Sequence, residues 1–137
     1  MAVRMAVSAA IAAADAITAL VNGGDLRIRD GTQPAAGDGT PDGNILATFT
    51  LPSPAFGGAV DANPHAEATA NAIAGVNASA TGTATYYEVR DSGGTVRWTG
   101  VVSTTAAGTG DLQIEDTALT SGNPVSIASW VFRHREL

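Results

Sequence analysis

GTATYYEVRDSGGTVRWTGVV, residues 82–102, is the stretch whose reading decides the fold. Aromatic and β-branched residues flank Asp91-Ser92-Gly93-Gly94 on both sides. Such residues suit a pleated, half-buried surface, and glycine supplies the positive φ that tight hairpin turns need. The spacing predicts a strand over Gly82–Arg90, a turn, and a second strand over Thr95–Val102 with Trp98 in its middle. On the first of these strands Tyr86 and Tyr87 fall on opposite faces, because the side-chain period is two.

The same texture extends in both directions. Downstream, Asp111–Ile114 reads as a short strand, Leu119–Pro124 (LTSGNP) as a turn, and Val125–Phe132 as the last long strand. Trp130 and Val131 take opposite faces there, and Arg133–Leu137 reads as a charged, exposed tail. Upstream, Leu26–Arg29 reads as a strand and Asp30–Asn44 as a polar loop. Ile45–Leu51 alternates, with Ile45, Ala47, Phe49 and Leu51 on one face and Leu46, Thr48 and Thr50 on the other. Phe49 is therefore expected in the core. Pro52 and Pro54 end that strand, since proline cannot donate to a sheet ladder. Ala55–Val60 carries Phe56, a core plug beneath a Gly57-Gly58 turn. His65–Ala74 has enough alanine for a helical turn, yet its place between strands favours a strand over Thr69–Ile73. About eight short strands separated by turn residues predict a mainly β fold, an antiparallel, jelly-roll-like β-sandwich.

Residues 1–24 differ. Arg4, the apolar run Met5–Ala14 and Ala12-Ala13-Ala14 fit the pattern of a secretory signal peptide. Asp15 interrupts that run, however, and Val7, Ile11, Ala14, Thr18 and Val21 continue along one face at helical spacing. Asn22-Gly23-Gly24 is a good helix stop. The expectation is one helix over residues 5–21, retained in the mature protein, with 1–24 packed on a sandwich of 25–137 as a single domain.

A chain of 137 residues suits one ordinary core. Cysteine is absent, which excludes disulfides and thiolate chemistry. Charged residues are 15 % of the chain, against roughly 25 % in soluble domains, as suits a subunit covered by neighbours. The net charge is −6, and every basic residue is arginine, at 4, 27, 29, 90, 97, 133 and 135. The lack of lysine suggests a GC-rich genome. No basic stripe interleaved with aromatics marks a nucleic-acid partner. The acidic balance argues against an anionic membrane surface, and the N-terminal run is too short to span one.

The groups that chemistry requires are few. His65 lies in a loop and His134 in the tail, and neither sits in a nucleophile motif such as G-x-S-x-G. Glu115 and Asp116 are adjacent, so on a strand they point to opposite faces and form no glycosidase pair. Asp38, Asp42 and Asn44 cluster without the spacing of a calcium loop, and turn formation explains them better. Gly57-Gly58 and Gly93-Gly94 lack the lysine and helix of a phosphate loop. Spaced aromatics such as Tyr86, Tyr87 and Trp130 suit a core first, then an interface or a sugar site. No catalytic, cofactor-binding or metal-binding residues are expected, and the chain reads as a non-enzyme.

The order of several motifs resembles small virion proteins of tailed phages and prophages. It runs from a helix ending in Asn22-Gly23-Gly24 through Leu26-Arg27-Ile28-Arg29 and Asp30-Gly31-Thr32-Gln33-Pro34. Ile45–Leu51 follows, then Pro54-Ala55-Phe56-Gly57, Ala80-Thr81-Gly82-Thr83-Ala84, the Asp91–Gly94 hairpin and Ser121-Gly122-Asn123-Pro124-Val125. Arg29 departs from the pattern, which has an aromatic there. The resemblance implies a structural component at the virion's capsid surface, a decoration (cement) protein bound to the major capsid protein and to copies of itself. A neck or tail component, or a carbohydrate- or receptor-binding module, is the alternative.

Overall fold

A computed structural model describes residues 4–135. One helix, α1 (Val7–Ala19), precedes twelve strands. Eight form a sheet: β1 (Asp25–Arg29), β2 (Ile45–Thr50), β3 (Val60–Ala62), β4 (His65–Thr69), β7 (Tyr86–Arg90), β8 (Val96–Thr104), β9 (Leu112–Ile114) and β12 (Ile127–Arg135). Their order in space is β2-β1-β7-β8-β9-β12-β4-β3. Two small ribbons flank it, β5 (Val76–Asn77) with β11 (Pro124–Val125), and β6 (Gly82–Thr83) with β10 (Ala118–Leu119). Among the described pairings only β8 with β9 is parallel. The fold is mainly β, antiparallel-rich and sandwich-like, with one N-terminal helix.

The sheet curls so that both of its halves feed one core. Leu26 and Ile28 of β1, Phe49 of β2, Tyr87 and Val89 of β7, Leu112 and Ile114 of β9 and Trp130 of β12 all belong to it. Register explains the pairing, since Leu26 faces Val89 and Ile28 faces Tyr87 across β1 and β7. Phe56 joins from outside the strands at 6 % exposure, tied to the sheet by a single bridge to Ala70. Its ring lies 4.6 Å from Trp130, and Trp98 lies 4.9 Å from Phe132, so the aromatics pack mainly on one another.

α1 closes the other end of the same face. Ala10 and Ala14 are fully buried against Ala66 of β4 and Phe132 of β12. Alanine on both sides lets helix and sheet approach closely. Thr18 donates back to the Ala14 carbonyl, which satisfies its buried hydroxyl. Asn22 accepts the Ala55 N–H just past the helix end.

Several expectations shift. The strand expected over Thr69–Ile73 lies at His65–Thr69 instead. There Ala66 and Ala68 are buried between less buried neighbours, a strand pattern that alanine made look helical. Ala55–Val60 holds only the Phe56 bridge, and the strand begins at Val60. Gly82–Arg90 is two strands, because β6 pairs with β10 while β7 pairs with β1 and β8. The last strand runs on through Arg135, so Arg133 and His134 are sheet residues, and Arg133 pairs with Glu67 at 3.0 Å. Leu46 is fully buried rather than on the outer face. A register shift opposite Ile28 and Arg29 skips it, and a bulge of this kind turns a side chain inward.

Candidate functional site

Three regions carry polar groups in defined geometry. The first lies inside the core. The Tyr87 hydroxyl donates to Asp111 Oδ2 at 2.5 Å and accepts from Trp98 Nε1 at 3.3 Å. Asp111 Oδ1 accepts the Val101 N–H. Trp130 Nε1 faces the same phenol without reaching hydrogen-bond geometry. Burial, then the Asp111 charge, pushes the Tyr87 phenol well above its ordinary pKa. A neutral phenol locked to a carboxylate inside an aromatic core is a structural brace.

The second region is the Asp30–Asn44 loop, which folds back over the outer face of β1, β7 and β8. Its two ends meet: Asp30 accepts the Asn44 N–H, and Asp42 accepts the Thr32 N–H. Gly43 makes this closure possible at φ 81°, because a Cβ there would fall 1.8 Å from the Asp30 carbonyl oxygen. The Tyr86 hydroxyl donates to the Asp42 carbonyl and accepts the Asp42 N–H, and Gln33 reaches Thr99. Beneath it Glu88, 2 % exposed, holds Arg29 through Nε and Nη2. Of the three residues weighed as a cation loop, Asp42 and the Asn44 backbone N–H are spent on the loop's own closure, and Asp38 is exposed near its tip.

The third region is a groove of about 490 Å³ at the start of β12. Ile114, Leu119 and Val125 form its floor, and Glu115, Asp116 and Asn123 stand on its rim. Glu115 and Asp116 follow β9 in a loop instead of occupying a strand, so both reach the same groove. Asp116 Oδ1 accepts the Ala118 N–H, and neither carboxylate has an ion-pair partner among the described residues. Their adjacency was visible in sequence; that a turn would replace the strand was not.

The two histidines are not brought together with these groups. His65 begins β4 and His134 lies in β12, both half-buried, and they occupy sheet positions instead of a loop and a tail. His134 Nε2 is buried without a partner among the described residues. Among the described residues no three His, Cys, Asp or Glu side chains gather closely enough to hold a metal ion.

The surface of α1 is unusual for an exposed helix. Val7 and Leu20 are 42 % and 47 % exposed, and Ala9, Ala12, Ala16 and Ala19 accompany them. Asp15 is the one charged residue in Val7–Ala19, and it caps the Ala59 N–H. No described helix is long and apolar enough to cross a membrane. No protein-family model, curated protein or solved structure matches the chain.

Proposed function

We propose that the chain is a non-enzymatic structural subunit of a tailed-phage virion, a decoration (cement) protein that binds the major capsid protein at the capsid surface. The exposed face of α1 carries this reading. A helix with one charge, backed by a rigid sheet, suits burial against protein better than lasting exposure to water. The bracing of the polar groups supports it too, since Tyr87, Asp111, Glu88 and Arg29 are spent on one another. The motif order described above supplies the virion context.

A cement protein binds the assembled lattice and not the dissociated subunits, so it stabilises the shell by mass action. Particles lacking the protein should therefore assemble, yet break at lower temperature or lower osmotic stress. Adding purified protein back should restore resistance in a saturable way. Tailless or leaking particles that added protein does not strengthen, with copies confined to the tail axis, would overturn the decoration reading in favour of a neck component.

A further inference from the structure

The groove at the start of β12 and the segment that leads into α1 complement each other. Arg4, Met5 and Ala6 are exposed and non-helical, and Ala6 is extended at φ −65°, ψ 148°. Met5 is 37 % and Val7 42 % exposed, two of the five exposed large hydrophobics among the described residues. Ala6 offers no side-chain cap, and no acid lies in the first turn. The first N–H groups of α1 thus lack a capping side chain, and the positive end of the helix adds to the charge of Arg4. The result is a cationic, apolar knob.

The groove is its counterpart. Glu115 and Asp116 bring two carboxylates without ion-pair partners, and Ala118, Pro124 and Ala128 add exposed apolar surface beside them. The knob of the same chain lies at the far end of β12. Ala10 and Ala14 pack on Ala66 and Phe132, and Ala66 faces His134 across the sheet, whereas the groove adjoins Ile127. At 3.3 Å per residue, Ile127 and His134 stand roughly 23 Å apart.

We infer that the groove receives the Arg4–Val7 segment of a second copy of this chain. Glu115 and Asp116 pair with Arg4 and face the uncapped helix end, while Met5 and Val7 cover Ala118, Pro124 and Ala128. Two different surfaces meet, so the association is head-to-tail and produces rings or filaments. It holds whether or not the protein belongs to a virion, because both surfaces are on this chain.

Sedimentation velocity of the full chain over a concentration series tests it. Wild-type protein should associate with a Kd on the order of 100 µM, as suits a small contact, and added salt should weaken it. Arg4→Glu removes the knob. Glu115→Gln combined with Asp116→Asn neutralises the groove and keeps an acceptor for the Ala118 N–H. Each variant alone should stay monomeric, with a circular dichroism spectrum like the wild type's. An equal mixture of the two should give dimers and nothing larger, since one retains a groove and the other a knob. Met5→Asp is a second knob variant that should behave as Arg4→Glu does. Wild-type chain that stays monomeric throughout, variants that associate like wild type, or a mixture that stays monomeric would each overturn the inference.

Discussion

Gly100 is buried because Tyr87 lies across it. The two are cross-strand neighbours, and a Cβ on Gly100 would sit 2.4 Å from the Tyr87 hydroxyl and 2.5 Å from Asp111 Oδ2. Neither neighbour can retreat without breaking the hydrogen bond between them. Gly100→Ala should therefore cost about 1–3 kcal/mol, the range for overpacking a filled core. Urea unfolding checks this, and a cost near zero would mean that the Tyr87 ring is free to move. The raised pKa of Tyr87 has its own consequence at alkaline pH. Below about pH 10 the phenol is protonated in both the folded and unfolded chain, and its contribution is intact. Above that the unfolded phenol ionises while the buried one does not. Stability should fall by about 1.4 kcal/mol per pH unit on account of Tyr87. Tyr86, whose pKa burial also raises, acts in the same direction. Urea midpoints across the alkaline range should show the decline, and Tyr87→Phe should make it shallower, leaving the share of Tyr86. The sequence placed Tyr86 and Tyr87 on opposite faces, as observed, but Asp111 was not legible as a partner. The parallel pairing of β8 and β9 brings it there, and no local pattern encodes that pairing.

At the scale of elements, β2 shows what alternation can and cannot tell. Phe49, Ala47 and Leu51 are buried as their period predicts. Phe49→Ala should cost about 3–5 kcal/mol, a large part of a domain's usual 5–15 kcal/mol, with thermal or urea unfolding as the measurement. A cost under about 1 kcal/mol would be incompatible with its place between the sheet halves. Leu46 escaped the reading because a bulge is set by the neighbouring strand. β4 escaped because its inward residues are alanines, Ala66 under α1 and Ala68 in the main core, and alanine carries no strand signature of its own. The hairpin turn was legible, with β7 ending at Arg90 and β8 beginning at Val96 on either side of Asp91–Gly94, although β7 starts only at Tyr86 and β8 runs on to Thr104. Asp91 accepts the N–H groups of Gly93 and Thr95 and pairs with Arg97 at 2.7 Å. The Thr95 amide, with help from Arg97, holds the Asp91 carboxyl below its ordinary pKa.

For the molecule as a whole, the mainly β class and the N-terminal helix were plain from texture. Turn residues recur at strand-like intervals after Gly24, and the periodicity before it is helical. The way one sheet wraps a common core was not, since strand order depends on pairings between distant segments. β1 lies between β2 and β7, and β4 lies between β3 and β12. The groove shares that origin. Glu115 and Asp116 gain meaning only once β9 ends, a turn begins, and β11 closes the other wall.

The packing of α1 on β12 also sets the order of events during synthesis. The helix leaves the ribosome before either strand that meets its inner face, β4 and, much later, β12. A 13-residue helix is marginal alone in water, so α1 gains lasting order only once β12 has joined β4 beneath it. Until then β4 and β9 each lack a neighbour, and much of the aromatic core stays open. Folding of this domain is thus deferred until β12 has been made and then proceeds through long-range pairings, which are slow to form. A chain stopped before Ile127 should show no cooperative unfolding transition by circular dichroism. Restoring β12 as a separate peptide should recover one, if only in part.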